Sequence, residues 1–361
     1  MTILLIRLRL IGDVVFTTPA IRALRTRYPD ARLLYLVESA AAPVVAHNPH
    51  LSAVIEVPHS RGWTRIKDDL RLARRLRAER CDLVVDFHGG PRSAWLAWAS
   101  GARRRVGYDI QGRAWMYTDL VHRPRGLHPR HSVENQWDLL ATVDAAFSGG
   151  ADRTANRVEM MTRPATRASV DARLATYGLG PHDGNTPLIV LHVSAGNPFR
   201  RWPETAFADV AAGLVRQSSG RRVLITAGPS DRAAVQRVLS MAQGQAGDGA
   251  ERIIDAQDFS LEDLRAVLDR SALFIGGDSG PLHIAATSDV PIVGLYGPTR
   301  PERSAPWRPP HLATASVDAG ELPCRPCDQR VCAPGDFRCL TTIPSEAVRA
   351  AAERLLENGR F

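Results

Sequence analysis

Short apolar runs alternate with helix-patterned stretches along most of this chain, and that alternation restricts the fold more than any other feature. Ile3 to Ile6 reads as a buried strand, Ala20 to Arg27 as a helix and Arg32 to Val37 as a second strand. A basic helix, Asp69 to Ala78, then precedes a strand at Asp82 to Phe87. Strand, crossover helix and strand in repetition predict βαβ units and a mainly parallel sheet.

The pattern starts again in the second half. Leu188 to Val193 and Arg222 to Thr226 read as strands flanking a helix at Glu204 to Arg216, and Ala272 to Ile275 follows helices at Asp231 to Met241 and Leu261 to Asp269. A last helix, Ser345 to Glu357, closes the chain. Between the halves, Gly149 to Pro164 loses periodicity and Tyr177 to Pro187 is dense in Gly, Pro, Asn and Asp. A chain of 361 residues exceeds one average domain. The expectation is an α/β protein of two Rossmann-like domains, residues 1–170 and 171–361, with a helix from Thr166 to Tyr177 crossing the junction.

With 44% hydrophobic and 23% charged residues, and no apolar run of the roughly 20 residues a bilayer span needs, the composition is that of a soluble globular protein. Met1 to Ile6 enters a strand pattern at once and lacks the order of a signal peptide, so a cytoplasmic protein is expected. The net charge of +8 comes almost wholly from arginine, Lys67 being the only lysine. Arginine forks suit phosphates and acidic membrane surfaces, yet a GC-rich genome produces the same bias. Charge by itself selects no partner.

Three loops carry chemistry. In "RLRLIGDVVFTTPAIRAL", Gly12-Asp13 follows the first strand, where open parallel sheets bind ligands. Asp13 is either the cap of the following helix or a carboxylate that takes a proton from a bound hydroxyl. In "HVSAGNPFRRWPE", Ser194, Arg200 and Arg201 lie beside a helix start, a plausible diphosphate clamp or an ordinary basic turn. In "FIGGDSGPLHIAA", a buried strand ends in Gly276-Gly277, and Asp278, Ser279 and Gly280 open a helix that carries His283. Glycines, acid, hydroxyl and histidine in a strand-to-helix context make this the most specific of the three anion-site patterns.

These segments, together with "DLVVDFHGGPRSAWLAWASGARRRVGYD" and the run from Gly276 to Trp307, resemble the ADP-heptose:lipopolysaccharide heptosyltransferases, glycosyltransferase family 9, over essentially the whole chain. The resemblance implies a GT-B fold, two Rossmann-like domains facing an interdomain cleft. It implies an inverting transfer of heptose from ADP-L-glycero-D-manno-heptose to the inner core of lipopolysaccharide. Asp13 matches the family's general base, and Arg200 stands where the family usually has lysine and would hold the donor phosphate. Asp278, Ser279, Gly280 and His283 match the loop on the donor's heptose and diphosphate, while Ser194 and Ala195 lie where members often have hydroxyl residues near the phosphates. Asp231 and Phe259 fall where the nucleoside is flanked. Gly12 would give clearance to the acceptor sugar, and Arg61, His88 and Arg92 are acceptor-side candidates, Arg61 in a polar loop with Arg65 and Lys67. No metal is expected in catalysis, and the partners implied are ADP-heptose, the core acceptor and, through the basic helix face Leu72 to Arg80, the cytoplasmic side of the inner membrane.

Four of the five cysteines, Cys324, Cys327, Cys332 and Cys339, form a C-x2-C-x4-C-x6-C run. Such a run closes around structural zinc or iron, forms disulfides or remains as thiols. This run and "LYGPT" look more like the second-heptose branch of the family. Two other classes are open to a basic chain with a CxxC pair. A nucleic-acid-binding protein would concentrate arginines and aromatics on one face, but here arginines are scattered and aromatics make up 6%. A noncatalytic sugar-nucleotide-binding pair of lobes would have no need of Asp13.

Overall fold

The alternation resolves into two six-stranded, wholly parallel sheets in a computed structural model that describes residues 1–58, 60, 62–122, 130–179, 186–255, 259–327 and 329–358. The first sheet contains β1 (Thr2–Ile6), β2 (Arg32–Glu38), β3 (Ala53–Val57), β4 (Leu83–Asp86), β5 (Arg104–Tyr108) and β6 (Asp119–Val121), in the order β3-β2-β1-β4-β5-β6. The second contains β7 (Leu188–His192), β8 (Arg222–Thr226), β9 (Ile253–Asp255), β10 (Leu273–Gly277), β11 (Ile292–Tyr296) and β12 (Thr314–Asp318), in the order β12-β11-β10-β7-β8-β9.

Both sheets therefore have one topology. The chain lays down a central strand, walks outward to one edge, then returns to the other side of the first strand. Ile3 pairs with both Leu33 and Leu83, and Ile189 with both Val223 and Leu273. Central strands of this kind are covered on both faces, which is why they read as continuous apolar runs instead of alternating ones. Leu4, Ile6, Leu34 and Val84 lie in one core, and Ile189, Leu191, Ile225 and Ile275 in the other. The strand order reverses between β1 and β4 and again between β7 and β10. Loops leaving the carboxyl ends there diverge and leave room for a ligand.

The chain divides into units of residues 1–161 and 162–361. The expected boundary at 170 falls inside a helix, Pro164–Thr176. Two carboxylates account for the earlier division. Buried Glu159 accepts from Asn48 Nδ2 at 2.9 Å and pairs with Arg22, both in the first unit. Glu262 accepts from the Arg163 backbone N–H at 2.8 Å and from Thr166 Oγ1 at 2.9 Å, which fastens the helix to the second unit. Burial would raise the Glu262 carboxyl, but Arg163 and Thr166 hold it down at about 2.

The basic helix starts earlier than its periodicity indicates. It spans Gly62–Ala78, so Arg65 and Lys67 are helical and not in a loop. Among the described residues no helix is long and apolar enough to cross a membrane.

Candidate active site

At the β1–β4 reversal, Leu10 takes a left-handed φ of 65° and turns the chain from strand into a short helix, Ile11–Val15. Leu10 is thus the N-cap residue, and Asp13 sits inside the first turn without a capping hydrogen bond. The capping explanation of Asp13 fails on that geometry. Its carboxylate instead accepts a hydrogen bond from the Arg7 guanidinium, and Arg7 Nη1 donates to the Phe87 carbonyl at 2.6 Å. Arg7 therefore ties the loop after β1 to the loop after β4. Gly12 is buried in the same helix.

His88 lies in this cluster. Burial, then Arg7 and Arg9, push its imidazole down to about 4, so it is neutral at pH 7. Its Nδ1 is buried and has no hydrogen-bond partner among the described residues. The backbone beneath it is fixed by Asp86, whose Oδ1 accepts from the N–H groups of His88 and Gly89 at 2.8 and 3.1 Å. Tyr117 donates to the other Asp86 oxygen at 2.7 Å. Burial raises the Asp86 carboxyl all the same.

One acceptor-side candidate is not part of this group. Arg92 spends its guanidinium on Asp69, with Nε–Oδ1 at 3.0 Å, and braces two neighbouring helices. Arg61 lies outside the described residues. Arg7, by contrast, was no candidate in sequence. Its only local signal is a charged side chain directly after a buried strand.

At the β7–β10 reversal, Arg200 ends a 3₁₀ turn, Pro198–Arg200. Its Nη1 donates to the Asp278 carbonyl at 2.8 Å and lies 3.2 Å from the Asp278 carboxylate. His283 Nε2 is 3.4 Å from the other carboxylate oxygen. Burial would raise the Asp278 carboxyl, but His283, Arg200 and Thr299 hold it below the usual range. Neither Asp278 oxygen makes a hydrogen bond of good geometry among the described residues, and the buried Ser279 hydroxyl has no partner there. Ser279 is the N-cap residue of the helix Gly280–Ala285, but its side chain caps nothing. A buried hydroxyl without a partner costs stability, and a ligand's polar atoms would relieve that cost.

The remaining donor candidates form the surroundings. Ser194 Oγ accepts from the Gly228 N–H at 2.9 Å and lies 3.3 Å from His192 Nε2, joining the loops after β7 and β8. Arg201 Nε donates to the Ala195 carbonyl at 2.9 Å while its Nη2 pairs with Asp231 at 3.1 Å. The two adjacent arginines thus serve different partners. Phe259 has the Arg173 guanidinium over its ring at 4.1 Å, so one face is stacked.

The cysteine run folds beside this site. Gln329, between Cys327 and Cys332, accepts on Oε1 from Arg200 Nε and from Asn197 Nδ2, each at 2.8 Å. Buried Arg325 anchors the run by donating to the Gly320 and Thr299 carbonyls at 2.8 and 3.0 Å. All five cysteines are free thiols, so the disulfide alternative is not realised. Burial and the neighbouring Cys324, Cys327 and Cys332 raise the Cys339 thiol. Among the described residues no group of three His, Cys, Asp or Glu side chains is placed to hold a metal ion.

Residues 70–335 match the model of glycosyltransferase family 9 (heptosyltransferase). The chain belongs to that family. It is 28% identical over 356 residues to lipopolysaccharide heptosyltransferase 3 of Escherichia coli, covering 97% of each chain. A glycosyltransferase family 9 structure from Veillonella parvula superposes with a TM-score of 0.84 at 26% identity, covering 99% of this chain and 98% of that one. E. coli ADP-heptose lipopolysaccharide heptosyltransferase II shares the fold, with a TM-score of 0.77 at 19% identity and full coverage of both chains. As a family 9 member this protein is a glycosyl-transferring enzyme of GT-B fold, related to the heptosyltransferases of lipopolysaccharide core assembly. Both loop clusters described above lie where that fold has its strand-order reversals.

Proposed function

We propose that this enzyme transfers L-glycero-D-manno-heptose from ADP-heptose to the inner core of lipopolysaccharide with inversion at the anomeric carbon. The observation that carries the donor side is the group at β7–β10: an unpartnered buried Ser279 hydroxyl and an under-bonded Asp278 carboxylate beside the Arg200 guanidinium. Arg200 and the N–H groups at the start of the Gly280–Ala285 helix oppose the charge that builds on the departing ADP. Asp278 and Ser279 take the sugar hydroxyls, and His283 holds the Asp278 carboxylate in place. Ser194, Arg201, Asp231 and Phe259 line the diphosphate and nucleoside end. The name of the E. coli heptosyltransferase II structure supports ADP-heptose as donor.

On the acceptor side, Asp13 is the general base. Its carboxylate is held by Arg7 and removes the proton of the attacking hydroxyl as the bond to ADP breaks. Neutral His88 offers its unpartnered Nδ1 to an acceptor hydroxyl, and Arg7 and Arg9 favour an anionic, phosphorylated core. The reaction is placed at the cytoplasmic face of the inner membrane, with the enzyme bound peripherally. The 28% relative is a type 3 enzyme, whereas the cysteine run and "LYGPT" point to type II, so the acceptor panel includes cores suited to each.

The test is donor-dependent turnover on defined heptose-deficient cores, wild type beside Asp13→Asn. We expect Asp13→Asn to lose about 10²- to 10⁴-fold in kcat while ADP-heptose binding is kept. Wild-type turnover by Asp13→Asn with intact donor binding would remove Asp13 as base.

A further inference from the structure

The helix Gly62–Ala78 has two apolar faces, only one of which the fold uses. Leu72, Ala73 and Leu76 are buried, Leu72 and Leu76 in the first sheet's core. Trp63, Ile66 and Leu70 are 83%, 52% and 45% exposed. At 3.6 residues per turn they fall within roughly 60° of one another, on a stripe centred roughly 100° round the helix from the buried one. Arg77 falls among them, and Arg74, Lys67 and Arg71 follow roughly 20°, 40° and 80° beyond Trp63. The helix's two acids lie off this arc and are engaged: Asp68 pairs with Arg71 at 3.0 Å, and Asp69 with Arg92. The outward face is therefore apolar and cationic, with no carboxylate on it.

A solvated helix face has no reason to carry a tryptophan, an isoleucine and a leucine in register, since exposing them gains nothing. Packing against another protein would leave the adjoining cations to be neutralised one by one. A bilayer surface with anionic headgroups meets both needs at once: acyl chains receive the three apolar side chains and phosphates receive the basic ones. The neighbouring helix, Pro91–Ala99, adds exposed Trp98, which stacks edge-on with exposed Trp115 at 5.8 Å. Tryptophan suits the headgroup level, where its ring is half in contact with water.

We propose that the outward face of Gly62–Ala78, centred on Trp63, Ile66 and Leu70, docks the enzyme on an anionic phospholipid surface. This deepens the peripheral placement proposed above by naming the surface and the lipid class. The basic stretch Leu72 to Arg80 shares in it only through Arg74 and Arg77, because Leu72 and Leu76 face inward.

The experiment is flotation of the full chain with vesicles of phosphatidylethanolamine and phosphatidylglycerol, free of lipopolysaccharide, and with phosphatidylcholine vesicles. Wild type should float with the anionic vesicles at least tenfold more than with the neutral ones, and less at high salt. The triple variant Trp63→Ser, Ile66→Ser, Leu70→Ser should lose tenfold or more of that binding. Arg74→Gln should lose severalfold, at low salt only. Transfer to a soluble core oligosaccharide should be unchanged in the triple variant, which also shows that it folds. Anionic-vesicle binding by the triple variant equal to wild type would overturn the proposal. So would unchanged vesicle binding with a shift from dimer to monomer in sedimentation, which would assign the face to a second copy. Vesicle binding without sugar transfer by wild type would refute the proposed reaction and leave the docking surface standing.

Discussion

Gln329 Oε1 accepts two hydrogen bonds at 2.8 Å, one from Arg200 Nε and one from Asn197 Nδ2. Gln329 holds a left-handed backbone at φ 59°, a conformation that a non-glycine residue adopts at a cost and keeps only where its surroundings fix it. The cysteine run thereby positions the guanidinium proposed to face the donor diphosphate. Gln329→Ala releases Arg200 Nε, and a hydrogen bond to a charged group contributes about 1.5 kcal/mol. The expected outcome is about a tenfold weaker affinity for ADP and a higher KM for ADP-heptose, with a smaller change in kcat. Calorimetric ADP titration beside steady-state kinetics checks this, and unchanged ADP affinity would remove Gln329 from the donor site.

Arg7 holds Asp13, and its role should separate cleanly from donor binding because it belongs to the other loop cluster. Arg7→Ala frees the carboxylate to leave the orientation proposed for the base, and misplacement of a reacting group by about 1 Å costs on the order of 10²-fold. We expect kcat to fall by about that factor with ADP affinity unchanged. The split between kcat and ADP affinity is the measurement. A parallel loss of donor binding would mean that Arg7 supports the fold as a whole.

Much of this architecture is legible in the chain because strands covered on both faces must be largely apolar, as the run from Leu188 to Leu191 is. The edge strands are harder to see: Asp119–Val121 and Ile253–Asp255 have three residues each and partly exposed sides, too little for a period to show. In the site, Asp278, Ser279 and His283 are readable because they lie within six residues of one another at a strand-to-helix junction. Arg7 and Gln329 are not, since their partners Phe87 and Arg200 lie 80 and 129 residues away and only the parallel topology brings them close. Arg92 has the same difficulty on a smaller scale: its guanidinium bonds Asp69, 23 residues away on another helix, a partner that no local pattern announces.

Gly277 ends β10 where the Arg200 backbone passes closely. A Cβ at this position would lie 3.2 Å from the Arg200 carbonyl oxygen, tighter than ordinary van der Waals contact. The neighbour is backbone and yields only by moving the 3₁₀ turn, Pro198–Arg200, so the strain passes directly to the guanidinium. Gly277→Ala should fold, with a stability loss of about 1–3 kcal/mol, and should weaken ADP binding. Its thermal melt and ADP titration decide the matter, and a variant with wild-type ADP affinity would show that the turn absorbs the methyl group elsewhere.

His192 is buried among Thr226 and Ser194, and burial pushes its imidazole down to about 4 from an ordinary value of 6.5. Between those two values the unfolded chain binds a proton that the folded protein refuses. The unfolded state then carries more protons, so stability falls as the pH drops from about 6.5 towards 4 and is restored above 6.5. For this group alone the loss between pH 7 and pH 5 is about 2 kcal/mol. His192→Asn keeps a side chain able to bond Thr226 but has no proton to gain. Urea titrations of both proteins at pH 7 and pH 5 should show a smaller drop for the variant, by roughly that amount. Equal drops would mean that His192 titrates in the fold as it does in water, and that its burial is relieved before the chain unfolds.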